Sequence, residues 1–356
     1  MRVAIDATPL IGIRTGIGVF LDGLLGSLKD LGEHEDNVEV AEYTLSISAQ
    51  IRGRARGTWV PLPAAQAPAI WRLFNAPKIE RFLGGIDLVH GTNYVVPASN
   101  VPRLVTVHDL SFLDNRFAKT GFGRRLHRSV KNAVQSGVTI HAISNFVAEE
   151  IRDKYSASDV RVVYPGVTQR PTPSSSTTPT IVAVGATQKR KGISDLVQAF
   201  EIVAHIDQEV ELQIVGPPGD SEQEIHTSIQ ALPVKIRDRV HRVGFVDQPV
   251  RDQLIAGATI LAHPSHYEGF GLPIVEAMAT GVPVVTTTGG AIPEVVGQAA
   301  VTVTPGDVQQ LAGALSELLE NENSRSALIA SGLERSQKFT WATTAREMSA
   351  LYASLT

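Results

Sequence analysis

Short apolar runs alternate with helix-period segments along the chain, and this alternation constrains the fold more than any other feature. RVAID at residues 2–6 precedes GVFLDGLLGSLKDL, RLVTVHD precedes GRRLHRSVKNAV, and VTIHAIS precedes NFVAEEIRDKY. The grammar then restarts with TIVAVGA before ISDLVQAFEIVAHI, followed by VELQIVG, RVHRVGFV, TILAHPS and PVVTT. Such alternation argues for parallel sheets with helices on both faces, once per series. Between the two series lies TQRPTPSSSTTPT, residues 168–180, which is dense in Pro, Ser and Thr, has no aliphatic residue, and reads as an exposed linker. A chain of 356 residues is also long for one domain. The expected fold class is α/β, with two doubly wound, Rossmann-like domains facing each other across a cleft, divided at residues 1–170 and 171–340. Ligands of such folds bind outside the carboxyl ends of the strands, so the residues just after each strand are the ones to inspect.

Composition narrows the chemistry. The chain is 43% hydrophobic, 19% charged and 6% aromatic, as in an ordinary soluble protein, and it has no cysteine. Disulfides, thiolate catalysis and zinc-thiolate sites are thereby excluded. The start MRVAIDATPL enters a strand-like run at once, with no signal peptide pattern, and no apolar stretch approaches a membrane span. A cytoplasmic location is expected, with any membrane contact peripheral. The net charge of −4 hides an asymmetry: residues 1–170 hold 20 Lys and Arg against 16 Asp and Glu, and residues 171–356 hold 12 against 20. The halves are expected to meet different partners. Nucleic acid is not among those expected.

Several strand ends carry candidate chemistry. In VTVHDLSFLD, His108 and Asp109 follow a buried-type strand and place an imidazole at the ligand edge. In DATPLIGIRTGIGVF, Gly12, Gly16 and Gly18 fall between the first strand and the first helix, where backbone amides can approach an anion. Their spacing does not match the dinucleotide fingerprint, because Leu21 stands at the third glycine position. In VAVGATQKRKG, Lys189, Arg190 and Lys191 follow a strand end and could clamp a diphosphate; a solvated basic turn is the plainer reading.

The stretch HYEGFGLPIVEAMATG sets Glu268 and Glu276 on either side of a glycine-proline break. Pro273 suits the first turn of a helix that Gly281 stops, which would put Glu276 in that first turn and Glu268 in the loop before it. Amides at the helix start suit phosphate oxygens, and the flanking carboxylates suit hydroxyl donors; together they describe a nucleotide sugar. No D-x-D sequence is present to hold a metal ion on a diphosphate, and no histidine pair shows metal-ligand spacing. Finally, Asn115 to Ala148 contains no acid, yet holds Arg116, Lys119, Arg124, Arg125, Arg128 and Lys131. Phe122, Leu126, Val130, Ala133 and Val134 recur there at helical spacing, so residues 116–131 pair a basic face with an apolar stripe. That face could attract an anionic membrane surface or a pyrophosphate-linked acceptor.

HYEGFGLPIVEAMATGVPVVTTTGGAIPEVVG resembles the E-x7-E signature of retaining glycosyltransferases of family 4, which have the GT-B fold. The resemblance extends over IDATPL, TGIGVF, DLVHGTNYVVP, TVHDLSF, ISNFVAEEI, VVYPGV, the VGATQKRKG block and KFTWATTAREMSALY, in family order. It implies that Glu276 binds the ribose hydroxyls of the donor and Glu268 sits by the donor sugar. Arg190 and Lys191 match the basic pair on the diphosphate, Gly269, Phe270, Gly271 and Leu272 add backbone amides, Gly16 and Gly18 match the first-domain loop on the donor, and His108 matches the histidine near the transferred sugar. Where many relatives have arginine after the strand-end glycine, this chain has Ala186, which leaves the diphosphate charge to Arg190 and Lys191. Also implied are retention of configuration, no metal or other cofactor, and a final helix, residues 341–356, crossing back to the first domain. The implied partners are a nucleotide-sugar donor and a glycan or lipid-linked acceptor, with a mannosyltransferase-like subgroup suggesting GDP-mannose. Nucleotide-sugar epimerase or sugar phosphorylase chemistry, and a non-catalytic nucleotide-sugar-binding subunit, are the alternatives.

Overall fold

The computed structural model describes residues 1–12, 15–34, 38–117, 121–169 and 178–356. Lys119 and most of the expected linker, residues 170–177, lie outside these. The chain divides into two compact units, Met1–Gly166 with Thr340–Thr356, and Val167–Phe339.

The first unit is built on seven parallel strands: β1 (Arg2–Asp6), β2 (Glu39–Thr44), β3 (Thr58–Trp59), β4 (Leu88–Gly91), β5 (Arg103–Val107), β6 (Thr139–Ala142) and β7 (Val160–Val162). Their order is β3-β2-β1-β4-β5-β6-β7. The second unit has six: β8 (Thr180–Val184), β9 (Glu211–Val215), β10 (Val240–Gly244), β11 (Ile260–His263), β12 (Val284–Thr287) and β13 (Val301–Val303), ordered β10-β9-β8-β11-β12-β13. Both are α/β units with a parallel sheet, and in both the strand order reverses beside the first strand, at β1/β4 and at β8/β11. That reversal opens a crevice at the carboxyl edge of each sheet.

Burial on both faces explains why these runs are strands. Val3, Ala4 and Ile5 of β1 and Ile181 and Val182 of β8 have no exposed surface, as strands covered by helices on both sides require. Helices form where the 3.6 period predicts them: Asn145–Tyr155 begins at an N-cap Ser144 whose hydroxyl accepts from the Val147 amide, and Ile193–Ile206 buries seven of its residues.

Three buried polar side chains interrupt the apolar strands of the first unit. His90 Nε2 lies 2.7 Å from Thr106 Oγ1, which lies 2.9 Å from His141 Nδ1, while His90 Nδ1 lies 2.8 Å from Tyr352 Oη. Burial holds both histidines below their usual pKa, so they stay neutral and link β4, β5 and β6 to the last helix, Trp341–Leu355. That helix packs on the Gly16–His34 helix through one cluster that includes Phe20, Leu24, Leu28, Met348 and Tyr352.

Chain entry into the last helix depends on Gly166. A Cβ there would stand 2.4 Å from the Trp341 backbone nitrogen and 2.6 Å from the Thr340 carbonyl carbon, a clash with backbone that no rotamer relieves. Gly166→Ala is therefore expected to destabilise the first unit by about 1–3 kcal/mol, as overpacked sites do; an unchanged urea midpoint and slope would show that the contact yields without cost.

Candidate functional site

In the second unit the candidate residues converge at the carboxyl edge, beside the β8/β11 crevice. After β8, Lys189–Lys191 form one turn of 3-10 helix that ends at Gly192, whose φ of 64° lies in the left-handed region. A Cβ on Gly192 would lie 2.1 Å from the Pro264 carbonyl oxygen. Only glycine combines this turn with such close approach to the loop after β11. The same contact is fastened by the His266 amide, which donates to the Arg190 carbonyl at 2.7 Å.

This brings Arg190 and Lys191 onto Glu268. The Lys191 ammonium donates to Oε1, and Arg190 Nη1 stands 3.2 Å from Oε2. Two residues not picked out from sequence complete the set: His263 Nε2 lies 2.8 Å and Ser265 Oγ 2.7 Å from Oε1. A carboxylate only accepts, so Nε2 of His263 carries the proton. Glu268 is 5% exposed. Burial alone would raise its pKa, but Lys191, then Arg190, and to a smaller extent His263 outweigh this and hold the carboxyl well below the usual range. His263 moves down, because its own burial exceeds the pull of Glu268. The site thus holds one carboxylate, two cations and a neutral imidazole. His263 and Ser265 were legible only as polar residues closing the apolar run TILAHPS.

Glycines 289 and 290 seat the backbone of this loop. A Cβ on Gly290 would come within 2.3 Å of the Glu268 carbonyl oxygen, and the Ala291 amide donates to that oxygen at 2.8 Å. Beyond Glu268, Gly271 has φ 94° and forms the N-cap of the Leu272–Thr280 helix. Phe270 is buried, and its ring meets Phe339 edge-on at 5.3 Å. The Phe270 side chain is therefore core, which leaves only the backbone of that residue for a ligand.

Glu276 differs from the sequence expectation. The helix starts at Leu272, so Glu276 is its fifth residue and falls in the second turn rather than the first. The reason is the left-handed Gly271, which starts the helix ahead of Pro273; proline needs no amide partner at the second position either. Glu276 therefore does not cap the helix start. It is half-buried against Arg251, whose Nη2 stands 2.6 Å from Oε1, while the Glu276 Oε2 and Arg251 Nε atoms are buried with no hydrogen-bond partner. Burial raises the Glu276 pKa, only partly offset by Arg251. Arg251 went unnoticed in the sequence, since nothing local ties the Gln248–Ala256 helix to a residue 25 positions later.

In the first unit, His108 follows β5 and is 7% exposed. Its Nε2 donates to the Thr92 carbonyl at 2.8 Å, which leaves Nδ1 as the accepting nitrogen. Burial chiefly lowers its pKa. Gly16 and Gly18, expected in the loop after β1, lie in the first turn of the Gly16–His34 helix instead. Helical bonding begins at the Thr15 carbonyl, which accepts from the Val19 amide at 2.9 Å. Of the basic stretch, Arg116 is paired with Asp114 at 2.6 Å and so does not belong to an unopposed cationic face. No helix among the described residues is long and apolar enough to cross a membrane.

Comparison with known proteins agrees with this architecture. Residues 168–335 match the family described as "Glycosyl transferases group 1", and residues 15–169 match "Glycosyltransferase Family 4". A D-inositol 3-phosphate glycosyltransferase of Xylanimonas cellulosilytica is 30% identical over 321 residues, covering 78% of this chain and 74% of that protein. The O-antigen chain mannosyltransferase B of Escherichia coli is 27% identical over 276 residues, 71% of each chain. Anabaena HepE, solved in complex with UDP and glucose, superposes with a TM-score of 0.76 at 20% identity over the full length of both chains. The chain is a glycosyltransferase of the GT-B fold and belongs to family 4.

Lys191→Met would leave Glu268 buried with fewer cations, costing about 1–3 kcal/mol at neutral pH while Arg190, His263 and Ser265 remain. The sign of its pH dependence follows from linkage. A depressed folded-state pKa stabilises above the unfolded value of about 4.3, and that stability is lost as pH falls through the folded value. The stability gap between Lys191→Met and the parent is therefore expected to be widest near neutrality and to narrow in acid. Parallel pH profiles would argue against the pairing.

Proposed function

We propose that this glycosyltransferase moves mannose from GDP-mannose onto a glycan or lipid-linked acceptor, with retention of configuration, in cell-envelope polysaccharide or glycolipid assembly. The donor reading draws on similarity to the O-antigen chain mannosyltransferase B. The observation that carries the site reading is the buried Glu276 Oε2 with no hydrogen-bond partner. A buried carboxylate oxygen left unpaired is costly; in this reading a turn of the Glu276 side chain, which keeps 15% of its surface exposed, brings that oxygen to a ribose hydroxyl of the nucleotide.

At the other end, Arg190 and Lys191 stand beside Glu268 at the edge of β8. A departing nucleoside diphosphate gains negative charge as the glycosidic bond breaks, so these two cations act where charge develops, without a metal ion. In this reading the amides of Gly269, Phe270, Gly271 and Leu272 join the two cations around the diphosphate, and Gly16 and Gly18 approach the donor from the first helix. Glu268 already accepts from four side chains, which makes it a poor nucleophile for double displacement; its oxygens serve sugar hydroxyls as Lys191 and Arg190 turn to the diphosphate. Retention then follows from acceptor attack on the face that the leaving group vacates. His108 contributes a neutral imidazole beside the transferred sugar. The reaction belongs on the cytoplasmic side.

Steady-state transfer with GDP-mannose and UDP-glucose tests both levels of the proposal. Glu276→Ala is expected to raise the donor KM about 10- to 100-fold with little change in kcat, the scale of one hydrogen bond to a charged group. Glu268→Gln is expected to depress kcat instead. Turnover of UDP-glucose but not GDP-mannose would overturn the donor assignment, and a Glu276 effect confined to kcat would overturn its role.

A further inference from the structure

The connection from β4 to β5, residues 92–102, contains no helix. Where a doubly wound unit normally carries a covering helix, a cavity of about 660 Å³ lies between the Ala67–Phe74 helix and the Phe122–Gln135 helix, within the size range of small-molecule sites. Phe122, Leu126, Ser129 and Ala133 line it from one face of the second helix, and Val95 and Val96 line it from the connection. From Phe122 to Ala133 the helix rises roughly 16 Å at about 1.5 Å per residue. The site is thus a long slot with largely apolar walls.

Its charge is one-sided. Arg72, Arg103, Arg125 and Arg128 line the cavity, and none pairs with a carboxylate among the described residues. The single acid in the lining, Asp6, is buried and its Oδ1 accepts from the Thr8 amide at 2.9 Å. Unpaired guanidinium groups beside an apolar slot match an apolar chain that ends in phosphate, which arginine can grip bidentately. A flat anionic bilayer would need those cations on an outward plane; here they border a concavity. Asp6, Thr8 and Asn93 mark the end of the slot at the carboxyl edge of the sheet, the edge on which His108 stands.

We propose that this slot binds a lipid whose single apolar chain ends in phosphate or diphosphate, and that this lipid anchors the sugar acceptor. The anchoring role rests on the glycosyltransferase reading above; occupancy of the slot does not.

Calorimetric titration of the full chain with farnesyl diphosphate tests it, beside inorganic diphosphate, farnesol and phosphatidylglycerol vesicles. Farnesyl diphosphate is expected to bind at least tenfold more tightly than inorganic diphosphate or farnesol. Arg72→Gln/Arg128→Gln, at two exposed helix positions, is expected to weaken it at least tenfold, and Ala69→Trp, at an exposed lining position, to block the chain. Lys191→Met is expected to leave it unchanged, which separates the slot from the diphosphate site of the second unit. Equal affinity for inorganic diphosphate, loss on Lys191→Met, or binding to vesicles without binding to farnesyl diphosphate would each overturn the proposal. If the slot binds and transfer from every nucleotide sugar fails, the reaction reading falls and the site stands.

Discussion

The second unit is organised around one buried negative charge. Glu268 is removed from water at a place where a carboxylate is tolerable only when it is surrounded by donors, and the local structure supplies them. Gly192 turns the cationic 3-10 segment onto the loop after β11, His263 and Ser265 close the strand from below, and Gly290 with the Ala291 amide pins the loop backbone. Each device comes from a different segment of the chain. The glycines are fixed by backbone contact, so the loop cannot relax if the charge is lost. Packing and electrostatics therefore specify one another at this edge.

The first unit solves a related problem without net charge. Its strands carry His90, Thr106 and His141 into a fully buried layer, and Tyr352 of the last helix closes the chain of hydrogen bonds. Burial keeps the histidines neutral, so no counter-ion is needed and the network ties the last helix to three central strands. One layer further toward the carboxyl edge, His108 is held in one tautomer by the Thr92 carbonyl. The two units thus present different polar chemistry at equivalent edges of similar sheets.

Much of the fold was legible because parallel strands and their helices announce themselves locally. The runs RVAID and ISDLVQAFEIVAHI coincide with β1 and with the helix Ile193–Ile206, since burial period and turn residues act over a few positions. One strand end was legible too, since β5 stops at Val107, just before His108 and Asp109 as expected. The helix start was less so: Pro273 does lie in the first turn, but the helix begins at Leu272 after the left-handed Gly271, which moves Glu276 out of that turn. The site was legible where a short motif carries several roles, as in HYEGFGLPIVE. It was illegible where partners are distant: Lys191 meets Glu268 across 77 positions, and Arg251 meets Glu276 across 25. Pattern reading could propose that two glutamates share a ligand. It could not find the cation that occupies one of them, nor the histidine and serine that hold the other.

Those partners separate the two glutamates. Glu268 has its pKa driven down by Lys191 and Arg190 against its burial, whereas Glu276 has it driven up because Arg251 offsets burial only in part. The first is a stable anion that accepts from four side chains; the second is a strained pair with one oxygen and one guanidinium nitrogen unserved. A ligand hydroxyl donating to Glu276 Oε2 would relieve that strain and gain affinity from it. At Glu268 the same hydroxyl would compete with bonds already made, so its gain must come from the cations that a diphosphate draws off. In the proposed reading, a diphosphate that recruits Lys191 and Arg190 would free the oxygens of Glu268 for the sugar. On that proposal, one set of ion pairs both orders the loop and hands its acceptors to the donor.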